Sequence, residues 1–148
     1  STTMGGEVVK LVRYGAKGKE KPGLIDPDGK IRDLSGVVPD IAGAALSAKG
    51  LAKIAKANWQ KLPLVKGKPR LGPCVGDVGN FIAVGLNYAD HAAETGAAIR
   101  TEPILFNKAR SCIVGPNDNV MIPKKSVKTD WEIELAIVIG ERARYVSK

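Results

Sequence analysis

The run Asp130-Trp131-Glu132-Ile133-Glu134-Leu135-Ala136-Ile137-Val138-Ile139-Gly140 most constrains what this chain can fold into. It is rich in Ile and Val and closes on a glycine, the composition of a β-strand. Strand side chains alternate between faces. Trp131, Ile133, Leu135, Ile137 and Ile139 therefore share one face, which demands a core. Glu132, Glu134, Ala136 and Val138 share the other, so the sequence predicts a strand buried on both sides with two carboxylates side by side. At roughly 7 Å and an effective dielectric of about 20 they repel by about 2 kcal/mol, and desolvation adds to that cost. A divalent cation would relieve both, because hard cations take oxygen ligands. The plainer alternative is an edge strand with two solvated glutamates.

Composition narrows the class. No apolar run approaches the roughly 18 residues of a membrane span, and the start has no signal-peptide pattern, so a cytoplasmic protein is expected. Cys74 and Cys112 fit no zinc spacing and no disulfide framework, and read as reduced thiols. The net charge of +8 is concentrated at the front: residues 1–70 carry 14 Lys/Arg against 6 Asp/Glu, and residues 71–148 carry 9 of each. A basic half can mark a nucleic-acid surface. Here the lysines are scattered without interleaved aromatics, and Lys49, Lys53 and Lys56 read as the solvated face of a helix. No nucleic-acid partner is expected.

Turn chemistry divides the chain. Val8–Tyr14 reads as a strand. Gly23–Ile25 and Ile31–Leu34 flank Asp26-Pro27-Asp28-Gly29, where Pro sets φ and Gly accepts a positive φ, so a hairpin is predicted. Ser47 can cap a helix over Ala48–Ala57, which Gly50 weakens. The tract Pro63–Pro73 carries three prolines and two glycines and reads as a linker, with a boundary near residue 75. Beyond it, Asn80–Leu86 reads as a strand, Tyr88–Thr95 as a short helix capped by Asn87 and stopped by Gly96, Ile104–Phe106 as a strand, Gly115–Asn119 as a turn and Val120–Pro123 as a strand. Strands that do not alternate with long helices predict an α+β class.

The short helix carries the only histidine. His91 and Glu94 are three apart, on one helix face. A carboxylate beside an imidazole raises its pKa and fixes its tautomer, as a general base requires. A surface histidine in a weak ion pair is the simpler account of that pair alone. Together with Glu132 and Glu134, it points to a metal-assisted reaction in which a base activates water.

In this order, Gly85-Leu86-Asn87-Tyr88-Ala89-Asp90-His91-Ala92-Ala93-Glu94, Glu102-Pro103-Ile104-Leu105-Phe106-Asn107-Lys108, Gly115-Pro116 and Asp130–Gly140 resemble the fumarylacetoacetate hydrolase family, closely over residues 80–140 and more loosely over residues 1–75. The resemblance implies a small N-terminal α+β domain (1–75), then the first part of a mixed β-sandwich roll (76–148) whose remainder is absent, usually in a homodimer. It implies a divalent metal, commonly Mg²⁺ and alternatively Mn²⁺ or Ca²⁺, held by Glu132 and Glu134. His91 would be the water-activating base with Glu94 as its partner on a lid helix, and Tyr88 and Lys108 would shape the substrate site. Substrates would be acylpyruvates and related 2-oxo acids, cleaved hydrolytically at a C–C bond. Isomerase, decarboxylase or ureidoglycolate-type lyase chemistry is the alternative on the same fold, and a non-catalytic binding or assembly module is the alternative of another kind. The family also uses a third carboxylate and a lysine from later strands, which would follow Lys148. A partial form of a longer enzyme, weakly active or inactive alone, is therefore expected.

Overall fold

The computed structural model describes residues 3–4, 7–94, 96 and 102–147, with the side chains of residues 3–8, 91 and 92 also outside the description. The backbone forms two units, Ser1–Asp77 with Val114–Lys148, and Val78–Ile113.

The first unit opens with a small antiparallel pair, β1 (Thr3–Met4) and β2 (Glu7–Val8). Its main element is an antiparallel sheet in the order β3 (Lys10–Tyr14), β4 (Lys21–Ile25), β5 (Ile31–Asp33). The predicted hairpin joins β4 to β5, pairing Gly23 with Asp33 and Ile25 with Ile31. Its turn closes as the residue types require. Gly29 has φ +76°, the Gly29 amide donates to the Asp26 carbonyl at 2.9 Å, and Asp26 Oδ1 accepts from the amides of Asp28 and Lys30. Asp26 is buried, and Arg32 Nε donates to its Oδ2 at 2.7 Å. Burial pushes the Asp26 carboxyl up, but the Arg32 guanidinium and the turn amides outweigh it and hold it below the usual carboxylate range.

One apolar cluster fills this unit. Leu24, Leu34, Val38, Ile41, Ala45 and Ile54 are buried, flanked by Leu11, Leu46, Trp59 and Leu62. Ile54 comes from α1 (Ala48–Ala55), which begins where the sequence predicts: Ser47 Oγ accepts from the Gly50 amide at 3.1 Å. Lys49, Lys53 and Lys56 lie on its exposed side.

The proline-rich tract is not the free linker expected. The Asp33 amide donates to the Pro63 carbonyl and the Val65 amide to the Ile31 carbonyl, along the β5 edge. The Gly15 amide donates to the Arg70 carbonyl and the Gly72 amide to the Arg13 carbonyl, along the β3 edge. The tract thus straps both open edges of the sheet, satisfying backbone groups that would otherwise invite pairing with other chains. Proline composition marked a connecting segment but not the sheet edges it would meet.

The stretch Asp130–Gly140 is a second correction. It is neither a strand nor buried: Trp131 is 82 %, Ile133 79 %, Leu135 84 % and Ile137 80 % exposed. Val120–Pro123, also expected as a strand, is likewise irregular and exposed. A strand exists only with a partner, and no described segment pairs with either stretch.

In the second unit, β6 (Ile82–Gly85) and β7 (Ile104–Asn107) pair antiparallel, with Ile82 opposite Asn107 and Gly85 opposite Ile104. Helix α2 (Ala89–Glu94) follows β6, and the Gly96 amide, at φ +66°, returns to the Ala93 carbonyl. Thr95, expected as the last helical residue, lies outside the described residues. Among the described residues, no helix is long and apolar enough to cross a membrane.

Candidate functional site

The candidate residues fall in both units. Tyr88, His91, Glu94 and Lys108 belong to the second; Glu132 and Glu134 belong to the first.

In the second unit, the chain leaves β6 through Leu86, which has φ +51°. That conformation is uncommon for a branched residue, and it turns the backbone sharply from strand into helix. Tyr88 precedes α2, and both Tyr88 and Glu94 are exposed. His91 occupies the third position of α2, three residues before Glu94, and its side chain lies outside the described residues. Lys108 follows β7, and its amide donates to the Phe81 carbonyl at 2.8 Å. Phe81 precedes β6, whereas α2 follows Gly85, the last residue of β6. Lys108 and the start of the turn into α2 therefore sit at opposite ends of the hairpin, roughly 13 Å apart by strand rise. The Lys108 side chain is exposed.

In the first unit, Glu132 and Glu134 stand in the exposed Asp130–Gly140 segment and are themselves exposed. Water around them cuts their repulsion about fourfold relative to a partly buried pair. The burial from which the sequence argued for a cation is absent, so the electrostatic case for one is weaker in this structure. The pair's donor set still suits a hard cation: Mg²⁺ is commonly held by one or two carboxylates, with waters and substrate oxygens completing the shell. Among the described residues, no group of three or more His, Cys, Asp or Glu side chains is placed to hold a metal ion.

The most developed polar cluster escaped the sequence reading. Arg70, inside the proline-rich strap, donates from Nε to Asp118 Oδ1 at 2.8 Å and from Nη2 to Asp118 Oδ2 at 2.6 Å. Its Nη1 donates to Glu20 Oε1 at 2.9 Å and to the Gly15 carbonyl at 3.2 Å. Arg13 lies 3.9 Å from Glu20 and donates to both oxygens of Asp40. Asp118 also accepts from the Gly115 amide at 2.8 Å, closing the predicted Gly115–Asn119 turn. The Arg70 guanidinium and the Gly115 amide lower the Asp118 carboxyl to about 2, and hydrogen bonding from Arg70 lowers Glu20 as well. Only local signals, the Gly-Pro-Asn-Asp turn and the prolines, were visible in sequence, because Arg70 meets partners 48 and 50 residues away.

The class defined so far is a small mixed α/β unit with a strapped sheet, plus a hairpin and helix that carry a histidine–glutamate pair. The comparisons name the family. Residues 80–148 match the family model described as fumarylacetoacetate (FAA) hydrolase C-terminal. A presumed hydrolase of Burkholderia multivorans is 57 % identical over 140 residues, which are 95 % of this chain and 50 % of that protein. A presumed hydrolase of Burkholderia lata is 56 % identical over the same shares of the two chains. Among solved structures, the fumarylacetoacetate hydrolase of psychrophilic Exiguobacterium antarcticum is similar with TM-score 0.53 and 27 % identity, over 72 % of this chain and 38 % of that one. These comparisons support the fumarylacetoacetate hydrolase family, whose C-terminal model residues 80–148 match. The chain spans about half the length of the curated relatives it matches.

Proposed function

We propose that this chain supplies the base and part of the metal-ligand set of a divalent-metal-dependent hydrolase that cleaves a C–C bond in acylpyruvate-like 2-oxo acids. The observation that carries the reading is the joint presence, inside the family-matched region 80–148, of the His91–Glu94 helix and the Glu132-x-Glu134 segment. Glu132 and Glu134 would hold Mg²⁺, or Mn²⁺ or Ca²⁺ in its place. When bound, the ion supplies positive charge where negative charge develops on substrate oxygens.

The protein's own residues do the rest. His91, with Glu94 fixing its tautomer, takes a proton from water. The hydroxyl adds to the distal carbonyl carbon of the substrate. The adjacent C–C bond then breaks, its electron pair leaves with the 2-oxo acid fragment, and protonation on carbon gives the free 2-oxo acid beside a carboxylic acid. Helix α2 would close over the bound acid and exclude bulk water. Tyr88 and Lys108 are proposed to contact the substrate, with Lys108 reaching it from the far end of the hairpin. A homodimer is proposed as the working form.

The test is pyruvate release from acetylpyruvate by the longest product of this reading frame. Cleavage abolished by a chelator and restored by Mg²⁺ is expected, with a loss of at least 100-fold in His91→Ala, the scale of general-base catalysis. Undiminished cleavage by His91→Ala overturns the base. Product analysis separates the hydrolase from an isomerase, decarboxylase or lyase on the same fold. The exposure of Glu132 and Glu134 favours one further reading, a non-catalytic binding or assembly module, which requires that no metal occupy these carboxylates even in the assembled oligomer.

A further inference from the structure

We propose that Arg70 is a positioning residue for the carboxylate segment: it fixes, through Asp118, where the chain bearing Glu132 and Glu134 leaves the small sheet. The inference rests on the reading of Glu132 and Glu134 as metal ligands, and it adds a role for the N-terminal part of the chain that no feature of those ligands implies.

The geometry is that of a knot. A bidentate guanidinium–carboxylate pair is planar and directional, so it fixes orientation as well as distance. Arg70 makes this pair with Asp118 while its third nitrogen holds Glu20 and the Gly15 carbonyl on the β3–β4 connection. Asp118 in turn holds the Gly115 amide. Gly115 is pressed so closely on the strap that a Cβ there would lie 2.2 Å from the Leu71 carbonyl oxygen, which only glycine avoids. The segment touches the same unit again past the carboxylates: a Cβ on Gly140 would lie 2.6 Å from the Leu46 carbonyl oxygen. Glu132 and Glu134 are thus bracketed by two close backbone approaches, at Gly115 and Gly140, and the first is locked by ion pairs. A ligand pair on an exposed segment has no packing to hold it, so its placement depends on its two ends.

The experiment measures placement and metal binding separately. Nitroxide labels at Lys30→Cys and Ala136→Cys, in a Cys74→Ser/Cys112→Ser background, report the distance distribution between the sheet and the carboxylate segment by pulsed electron resonance. Arg70→Ala is expected to broaden that distribution at least twofold, Arg70→Lys to recover it in part, and Asp118→Asn, which spares the Arg70–Glu20 pair, to broaden it as well. In the unlabelled protein, Tb³⁺ luminescence sensitised by Trp131, next to Glu132 in sequence, should show at least fivefold weaker binding in Arg70→Ala and an intermediate value in Arg70→Lys. A distribution that is the same with and without Arg70 overturns the proposal, as does an unsubstituted protein already as broad as Arg70→Ala. If Glu132→Gln/Glu134→Gln binds Tb³⁺ as tightly as the parent, the metal-ligand reading falls, and the distance distributions still decide the role of Arg70.

Discussion

The Val120–Val146 segment and the apolar cluster that includes Leu24 of the small sheet use the same kinds of apolar residue to opposite effect. Leu24, Leu34, Ile41 and Ile54 are at most 1 % exposed, whereas Ile133, Leu135 and Ile137 are at least 79 % exposed. The difference lies in where each strand finds its partner. β3, β4 and β5 pair in sequence order across short connections, and the strap then covers their two edges. Asp130–Gly140 has an equally strong strand pattern but no described segment to pair with. Apolar alternation specifies faces, and burial requires a second surface that the pattern does not encode.

The largest effect that tests this contrast is in the core. Leu34→Ala should cost about 3 kcal/mol in urea unfolding, the usual range for a fully buried leucine. A cost below about 1 kcal/mol would mean the cluster is not packed as described. Next is the buried ion pair. Arg32→Ala strands Asp26 beneath the hairpin with only its turn amides, and should cost about 2 kcal/mol. The same carboxylates set the acid response. Asp26, Glu20 and Asp118 all sit below the ordinary carboxylate range when folded. Their contribution is therefore fully present above the unfolded value of about 4 and is lost as pH falls through the folded values, toward about 2 for Asp118. Thermal melts should hold steady from pH 7 to pH 5 and fall below pH 4, less steeply in Asp118→Asn. Ser47→Ala removes the cap of α1 and should cost about 1 kcal/mol, read by the same unfolding curves.

What could be read in the sequence follows the same division. The Asp26-Pro27-Asp28-Gly29 hairpin, the Ser47 cap and the Gly96 stop are local, because each depends on the φ or hydrogen-bonding capacity of residues within four positions. The His91 helix was legible for that reason too. Glu132 and Glu134 were legible as a chemical pair, but their burial was not, since it depended on a partner strand. Arg70 left no signal at all, because a guanidinium in a proline-rich stretch looks like any solvated cation until the fold brings Glu20 and Asp118 to it.

The smallest expected effect tests the comparison most sharply. Leu135→Ala should change stability by no more than about 0.5 kcal/mol, because its side chain already lies in water and truncation removes no buried area. Set beside Leu34→Ala, it holds the chemistry fixed and varies only the surroundings. A cost of about 2 kcal/mol or more at Leu135 would show that the segment is buried in solution, with the strand pattern satisfied after all. Repeating the measurement across a hundredfold range of protein concentration then identifies the partner. A cost that grows with concentration places the partner on a second copy of the chain, because only association makes apparent stability depend on concentration. A constant cost places it within the same chain, and Glu132 and Glu134 would then regain the low-dielectric setting in which a cation relieves the repulsion of two adjacent carboxylates.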